Sequence, residues 1–151
     1  LRDVCGNVNI DPAIEHLLST GEAPKAPGMK YKHYAPKADM KMLRGSESAV
    51  SDYLRSQIME SDIDTAILTV DEHKSVLLQF INENKKHNIK LLSLGSIKDM
   101  SSIAHNLFDV LRKCDDLGVK NIISESFDEN GIGRAVMNRL KKAAGFNIID
   151  L

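Results

Sequence analysis

The sequence predicts an α/β protein, a Rossmann-like three-layer sandwich with a mostly parallel five-stranded sheet, preceded by an extended proline-rich linker. Three observations carry this. From Asp39 onward, short apolar runs alternate with amphipathic stretches at helical spacing, the pattern of strands joined by crossover helices. The short runs are apolar throughout, as strands covered on both faces are. Before Asp39 the texture differs: residues 24–36 read PKAPGMKYKHYAP, in which Pro24, Pro27 and Pro36 remove backbone donors and favour extended neighbours.

Each element then follows in order. Asp11 as cap and Pro12 in the first helical position open a short helix with Ile14, Leu17 and Leu18 on one side, ended by Ser19, Thr20 and Gly21. After the proline-rich arm, KMLR at 41–44 is the first strand. A helix opens near Ser46, with Glu47 and Ser48 in its first turn and Val50, Leu54 and Ile58 inward. TAILTV at 65–70 is the second strand. Asp71 caps a helix with Val76, Leu77, Phe80 and Ile81 inward, which runs out in Lys85, Lys86 and His87. IKLLSL at 89–94 is the third strand, turned by Gly95 and Ser96. A longer helix runs from about Asp99 to Asp116, with Ile103, Leu107, Val110 and Leu111 inward and Gly118 as its stop. VKNIIS at 119–124 is the fourth strand. Gly131 and Gly133 precede a helix carrying Val136, Leu140 and Ala143, closed by Gly145, and FNIIDL forms the fifth strand. The order of strands in the sheet is not legible, because it depends on non-local pairing.

Composition bounds the function. The chain has 151 residues, 42% of them hydrophobic, room for one ordinary domain with an attached arm. Its 20 basic residues nearly balance its 21 acidic ones, so no general nucleic-acid or membrane surface is expected. Cys5 and Cys114 lie far apart with no histidine at zinc spacing, which argues against a disulfide or metal and fits a cytoplasmic setting. No apolar run approaches a membrane span and no leader pattern is present. The chain begins at Leu1, so a piece of a longer protein is expected.

A sheet of this kind takes ligands beyond the carboxyl ends of its strands. The loops there hold Asp71, Glu72 and His73, then Gly95 and Ser96, then Glu125, Ser126 and Asp128. No G-x-G-x-x-G or Walker sequence is present. Gly131, Gly133 and Arg134 are candidates for presenting amides and a cation to an anion at a helix start. His73 is expected to be solvated, His105 to pack, and Met137, Asn138, Arg139, Lys141 and Lys142 to form a solvated basic face. No nucleophile with a base at recognisable spacing suggests a freestanding enzyme. The arm is richer: from Lys25 to Arg44 six basic residues face Asp39 alone, interleaved with Tyr31, His33 and Tyr34. The residues alone leave two alternatives open, a strap folding over an anionic ligand or a surface linker pinned by its tyrosines.

The stretch APGMKYKHYAPKA resembles the interdomain linker of two-domain threonylcarbamoyl-AMP synthases. SLGS at 93–96, IAHNLFDVLRKCDDLGV from Ile103 and GIGRAVMNRLKKAAG from Gly131 resemble successive signatures of that family's carboxyl-terminal domain. The resemblance runs roughly from Pro24 to Gly145. It implies a division into residues 1–20, the tail of a missing catalytic domain; 21–38, the interdomain linker; and 39–151, a Rossmann-like accessory domain. It further implies that the missing YrdC-like amino-terminal domain joins L-threonine, bicarbonate and ATP into threonylcarbamoyl-AMP and pyrophosphate, for the threonylcarbamoyladenosine modification of tRNA. ATP, Mg²⁺ and threonine would bind there, with no catalytic residue, cofactor or metal in this fragment, which alone would be inactive. Direct contact with tRNA is not indicated. The linker would gate the active site through Pro27, Gly28, Lys30, Tyr31, Lys32, His33 and Tyr34. Lys32 stands where the family has arginine, keeping the charge but losing planar bidentate geometry. The rival expectation is a non-catalytic module that binds a nucleotide or protein at Gly95, Ser96 and Gly131 to Arg134.

Overall fold

The computed structural model describes residues 35–151. Expectations for the first helix and for Pro27 to Tyr34 lie outside the described residues. Five strands and four helices alternate: β1 (Asp39–Arg44), α1 (Glu47–Glu60), β2 (Thr65–Thr69), α2 (Asp71–Glu83), β3 (Ile89–Ser93), α3 (Met100–Leu117), β4 (Asn121–Glu125), α4 (Ile132–Ala143) and β5 (Ile148–Asp150). The sheet is parallel throughout, in the order β3-β2-β4-β1-β5.

That order, with the right-handedness of parallel crossovers, decides which face each helix covers. The steps β1 to β2 and β2 to β3 run one way across the sheet, and the steps to β4 and β5 run the other. So α1 and α2 cover one face, where Val50, Leu54, Ile58, Leu77 and Ile81 meet Leu43, Ile67, Ile89 and Ile123. The helices α3 and α4 cover the other, where Ile103, Leu107, Val136, Met137 and Leu140 meet Met40, Met42, Ala66, Leu68 and Ile122. Neighbouring residues such as Ile122 and Ile123 divide between the faces because strand side chains alternate.

Helix boundaries follow local chemistry. Ser46 caps α1 by accepting a hydrogen bond from the Ala49 amide at 3.2 Å. Asp99 caps α3 by accepting one from Ser102, and Gly118 ends it at φ 68°, a left-handed turn that glycine adopts without a Cβ penalty. Asp71 is the first residue of α2, not its cap, because Val70 completes the extended segment before it. The basic run Lys85 to His87 lies in the turn after α2.

Phe80 packs inward as expected, partly buried against the α1–α2 core, with the Arg55 guanidinium 4.9 Å from its ring centre. Three packing expectations are corrected. Val76 is 53% exposed, because the continuous VLL run of α2 turns only Leu77 inward. His105 is exposed, one position off the Ile103–Leu107 stripe. Met137 belongs to the core and accepts a hydrogen bond from the Phe127 amide at its sulfur, while Lys141 Nζ is bound at 2.5 Å by Glu129 and is not part of a solvated face. Among the described residues no helix is long and apolar enough to cross a membrane.

Replacing fully buried Met42 by alanine is expected to cost about 3 kcal/mol, and replacing Val76 by alanine less than about 0.5 kcal/mol. Urea unfolding of the two variants checks the assignment of faces; equal losses would contradict it.

Candidate functional site

The carboxyl edge of the sheet gathers chemistry at the join between β2 and β4. These neighbouring strands are followed by helices on opposite faces, the arrangement that opens a crevice in doubly wound sheets. Glu125, the last residue of β4, has only 8% of its surface exposed. Thr69 Oγ1, at the end of β2, donates to its Oε2 at 2.5 Å. His73 Nδ1, in the first turn of α2, lies 2.9 Å from its Oε1. On the far side of the imidazole, Nε2 lies 3.8 Å from Glu47 at the start of α1.

His73 is therefore not a solvated loop residue. It is a hydrogen-bonding partner of the buried Glu125 carboxyl, whose oxygens would otherwise be expensive to hold away from water. The sequence carried one signal for this pairing: Glu125 directly follows the strand-forming stretch VKNIIS, and a carboxyl group at the end of a covered strand must find a partner. The carboxyl–imidazole contact ties the end of β4 to the first turn of α2 and acts as a latch between them.

Around this latch the edge is acidic and already satisfied. Asp71 Oδ1 accepts from Ser93 Oγ at 2.5 Å. Glu72 accepts from the Ser96 hydroxyl and from the Ile97 amide, at 3.0 Å for the amide, and these two donors hold its carboxyl down at about 2. Gly95 in the same turn has φ +130°, and a Cβ there would stand 2.5 Å from Ser102 Oγ. The turn after β3 is thus tied to the start of α2 by two carboxylates that also occupy the positive end of that helix.

At α4 the glycines have backbone reasons. Gly131 precedes the helix at φ 54° and ψ −128°. Gly133 is buried, and a Cβ there would come within 1.9 Å of the Asp128 carbonyl. Arg134 is half-buried on the first turn. The helix has neither a side-chain cap nor an acidic residue in that turn. The side chains of Asp128 and Asn130 are bonded to each other at 2.7 Å. Among the described residues no group of three or more histidine, cysteine, aspartate or glutamate side chains is placed to hold a metal ion. Cys114 is buried, and desolvation pushes its thiol up to about 11, so it stays protonated at neutral pH.

Two of the cations counted with the arm are committed within the sandwich, Lys41 in the middle of β1 and Arg44 at its carboxyl end. Lys41 Nζ donates to Tyr53 and Gln57 at 3.0 and 3.1 Å, and Arg44 forms a two-point pair with Asp150. Lys37, Ala38, Asp39, Asp115, Gly118, Val119 and Lys120 line an open groove of about 330 Å³ beside the start of β1.

A family model described as threonylcarbamoyl-AMP synthase, C-terminal domain, matches residues 1–145. The chain belongs to that family. The threonylcarbamoyl-AMP synthases of Pyrococcus abyssi and Bacillus subtilis are each 34% identical to it, over 100% and 99% of this chain but only 40% and 39% of their own length. The chain thus spans about two fifths of the length of these relatives. Among solved structures, P. abyssi Sua5 complexed with L-threonine superposes with a TM-score of 0.72 at 31% identity, covering 99% of this chain and 40% of that one. A second P. abyssi Sua5 structure, with a TM-score of 0.70 at 30% identity and a similar coverage of 99% and 39%, has a histidine and the tyrosine after it replaced by alanine.

Three outcomes are expected. Replacing Glu125 by alanine costs about 2 kcal/mol, and a double-mutant cycle with His73→Ala gives a coupling above about 1 kcal/mol; a coupling near zero would dissolve the latch. Gly133→Ala costs about 2 kcal/mol or more in urea unfolding, because its new methyl group meets backbone. The carboxyl of Glu72 is depressed in the folded state, so its contribution is complete above the ordinary value near 4.5 and is lost as pH falls through about 2. Carbon-detected NMR titration of Glu72 should therefore show a midpoint near 2; an ordinary midpoint would mean the Ser96–Ile97 tie is absent.

Proposed function

We propose that this chain is the accessory carboxyl-terminal domain, with its connecting arm, of a cytoplasmic threonylcarbamoyl-AMP synthase. The whole protein would join L-threonine, bicarbonate and ATP into threonylcarbamoyl-AMP and pyrophosphate for tRNA modification. The observation that carries this is the family match over 145 residues of a chain that covers only about 40% of its full-length relatives. The reacting groups, the nucleotide and its Mg²⁺ belong on this proposal to an upstream domain. The carboxyl edge of the sandwich supports that division. Three of the four described helices begin with a carboxylate at the cap or in the first turn, which disfavours phosphate where this fold usually takes it.

In this proposal the arm closes over the upstream active site through Pro27, Gly28, Lys30, Tyr31, Lys32, His33 and Tyr34. Closure would exclude water from an unstable carbamoyl intermediate and strengthen charge interactions inside. The replaced His-Tyr pair of the P. abyssi structure supports the choice of residues, since this chain has a single His-Tyr pair, His33-Tyr34. Deleting residues 24–37 from the full-length protein is expected to lower turnover at least tenfold while the 39–151 sandwich keeps its melting temperature. Unchanged kinetics would remove the gate.

One feature favours a second possibility, a nucleotide-binding module. The start of α4, with Gly131, Gly133 and Arg134, is free of side-chain caps and acidic residues in its first turn. Titration calorimetry of the 151-residue chain with ATP and AMP separates the two. The accessory role predicts no heat of binding, and micromolar affinity would favour the module.

A further inference from the structure

The chain leaves the arm and becomes the sandwich between Ala35 and Asp39, and this short passage is fixed at every step. Pro36 has its φ locked by its ring and biases Ala35 toward extended backbone. The Lys37 amide, the first donor after that proline, gives its hydrogen to Asp115 Oδ1 at 2.8 Å. Ala38 packs half-buried against the α3–α4 side of the core. The Asp39 amide donates to the Lys120 carbonyl at 3.1 Å and begins the β1–β4 ladder. Both acceptors belong to one corner, the end of α3 and the turn into β4, far away in sequence.

Asp115 is in a position its own helix does not favour. It lies in the last turn of α3, at the negative end of the helix, next to Asp116 and with no basic residue in that turn. A carboxylate there is disfavoured by the helix dipole. It also pushes the buried Cys114 thiol further up, adding to desolvation. Its bond to Lys37, 78 positions away, is the compensating contact.

We propose that Asp115 is a positioning residue for the arm: by holding the Lys37 amide it fixes the backbone of residues 37 and 38, where the arm joins the sandwich. This rests on the gating role of the arm proposed above. With the anchor in place, backbone freedom at residues 37 and 38 is already spent before the arm closes. Without it, closure must order those residues each time, at a cost in backbone entropy. The anchor touches no substrate and acts only through the arm.

Two variants separate positioning from simple stability. Asp115→Asn keeps the oxygen acceptor; Asp115→Ala removes it. In the 151-residue chain, amide exchange at Lys37 should speed up about tenfold in Asp115→Ala and stay within about twofold of wild type in Asp115→Asn. In the full-length protein, kcat/KM for threonylcarbamoyl-AMP formation should fall about fivefold in Asp115→Ala and be restored in Asp115→Asn, with melting temperatures of the two variants alike. Unchanged exchange at Lys37, or kinetics the same in both variants, overturns the anchor. The arm deletion, measured alongside, distinguishes the two levels: if deletion slows turnover and Asp115→Ala does not, the anchor fails and the gate stands. If deletion changes nothing, the gate fails and the exchange result alone judges the clamp.

Discussion

The parallel pairing of β1 with β4 is the constraint on which the rest of this structure depends. It places the first described strand between the last two, so the sheet is complete only when segments 82 residues apart meet in register, from Asp39 opposite Asn121 to Leu43 opposite Glu125. Each end of that ladder has its own chemistry. At the amino end, Lys120 and Asp115 take the backbone amides of the incoming chain. At the carboxyl end, β4 delivers Glu125 to the crevice beside Thr69 and His73. The buried carboxylate and the arm attachment are thus opposite ends of one pairing, about 20 Å apart by strand length.

Charge at helix starts sets the character of three of the four described helices at the edge where such sheets usually take ligands. Phosphate sites in such folds use the uncapped amides and positive end of a helix after a glycine-rich turn. Here Glu47, Asp71, Glu72 and Asp99 take those places, and Ser93, Ser96 and the Ile97 amide bind two of them back into the protein. The arrangement stabilises the loops and places negative charge at those helix starts. The proline-rich arm has the opposite charge, with cations and phenols between Glu22 and Asp39.

Much of this fold could be seen in the sequence, because its signals are local. Five apolar runs and four amphipathic stretches became five strands and four helices, and Ser46, Asp99 and Gly118 serve as the caps and stop their chemistry suggests. What stayed hidden depends on partners distant in sequence. Val76 and His105 sit beside inward residues on their helices and yet face outward, a difference of one position around the helix that the apolar spacing alone does not resolve. His73 looked solitary because its partner Glu125 is 52 residues away, and Met137 looked like part of a basic face because its contact is the Phe127 amide. The glycines at 131 and 133 invite an anion-binding expectation, yet a left-handed backbone and the close Asp128 carbonyl require them without any ligand. The family resemblance was legible in the arm and the helix motifs, and the match over residues 1–145 agrees with it.

The central claim is that this chain serves a reaction carried out by a domain upstream of it. The most direct test is incorporation of labelled bicarbonate into threonylcarbamoyl-AMP, with ATP, Mg²⁺ and L-threonine supplied, by the full-length gene product and by the 151-residue chain side by side. The account predicts product from the full-length protein and none above background from the chain alone. Sustained turnover by the isolated chain would contradict it.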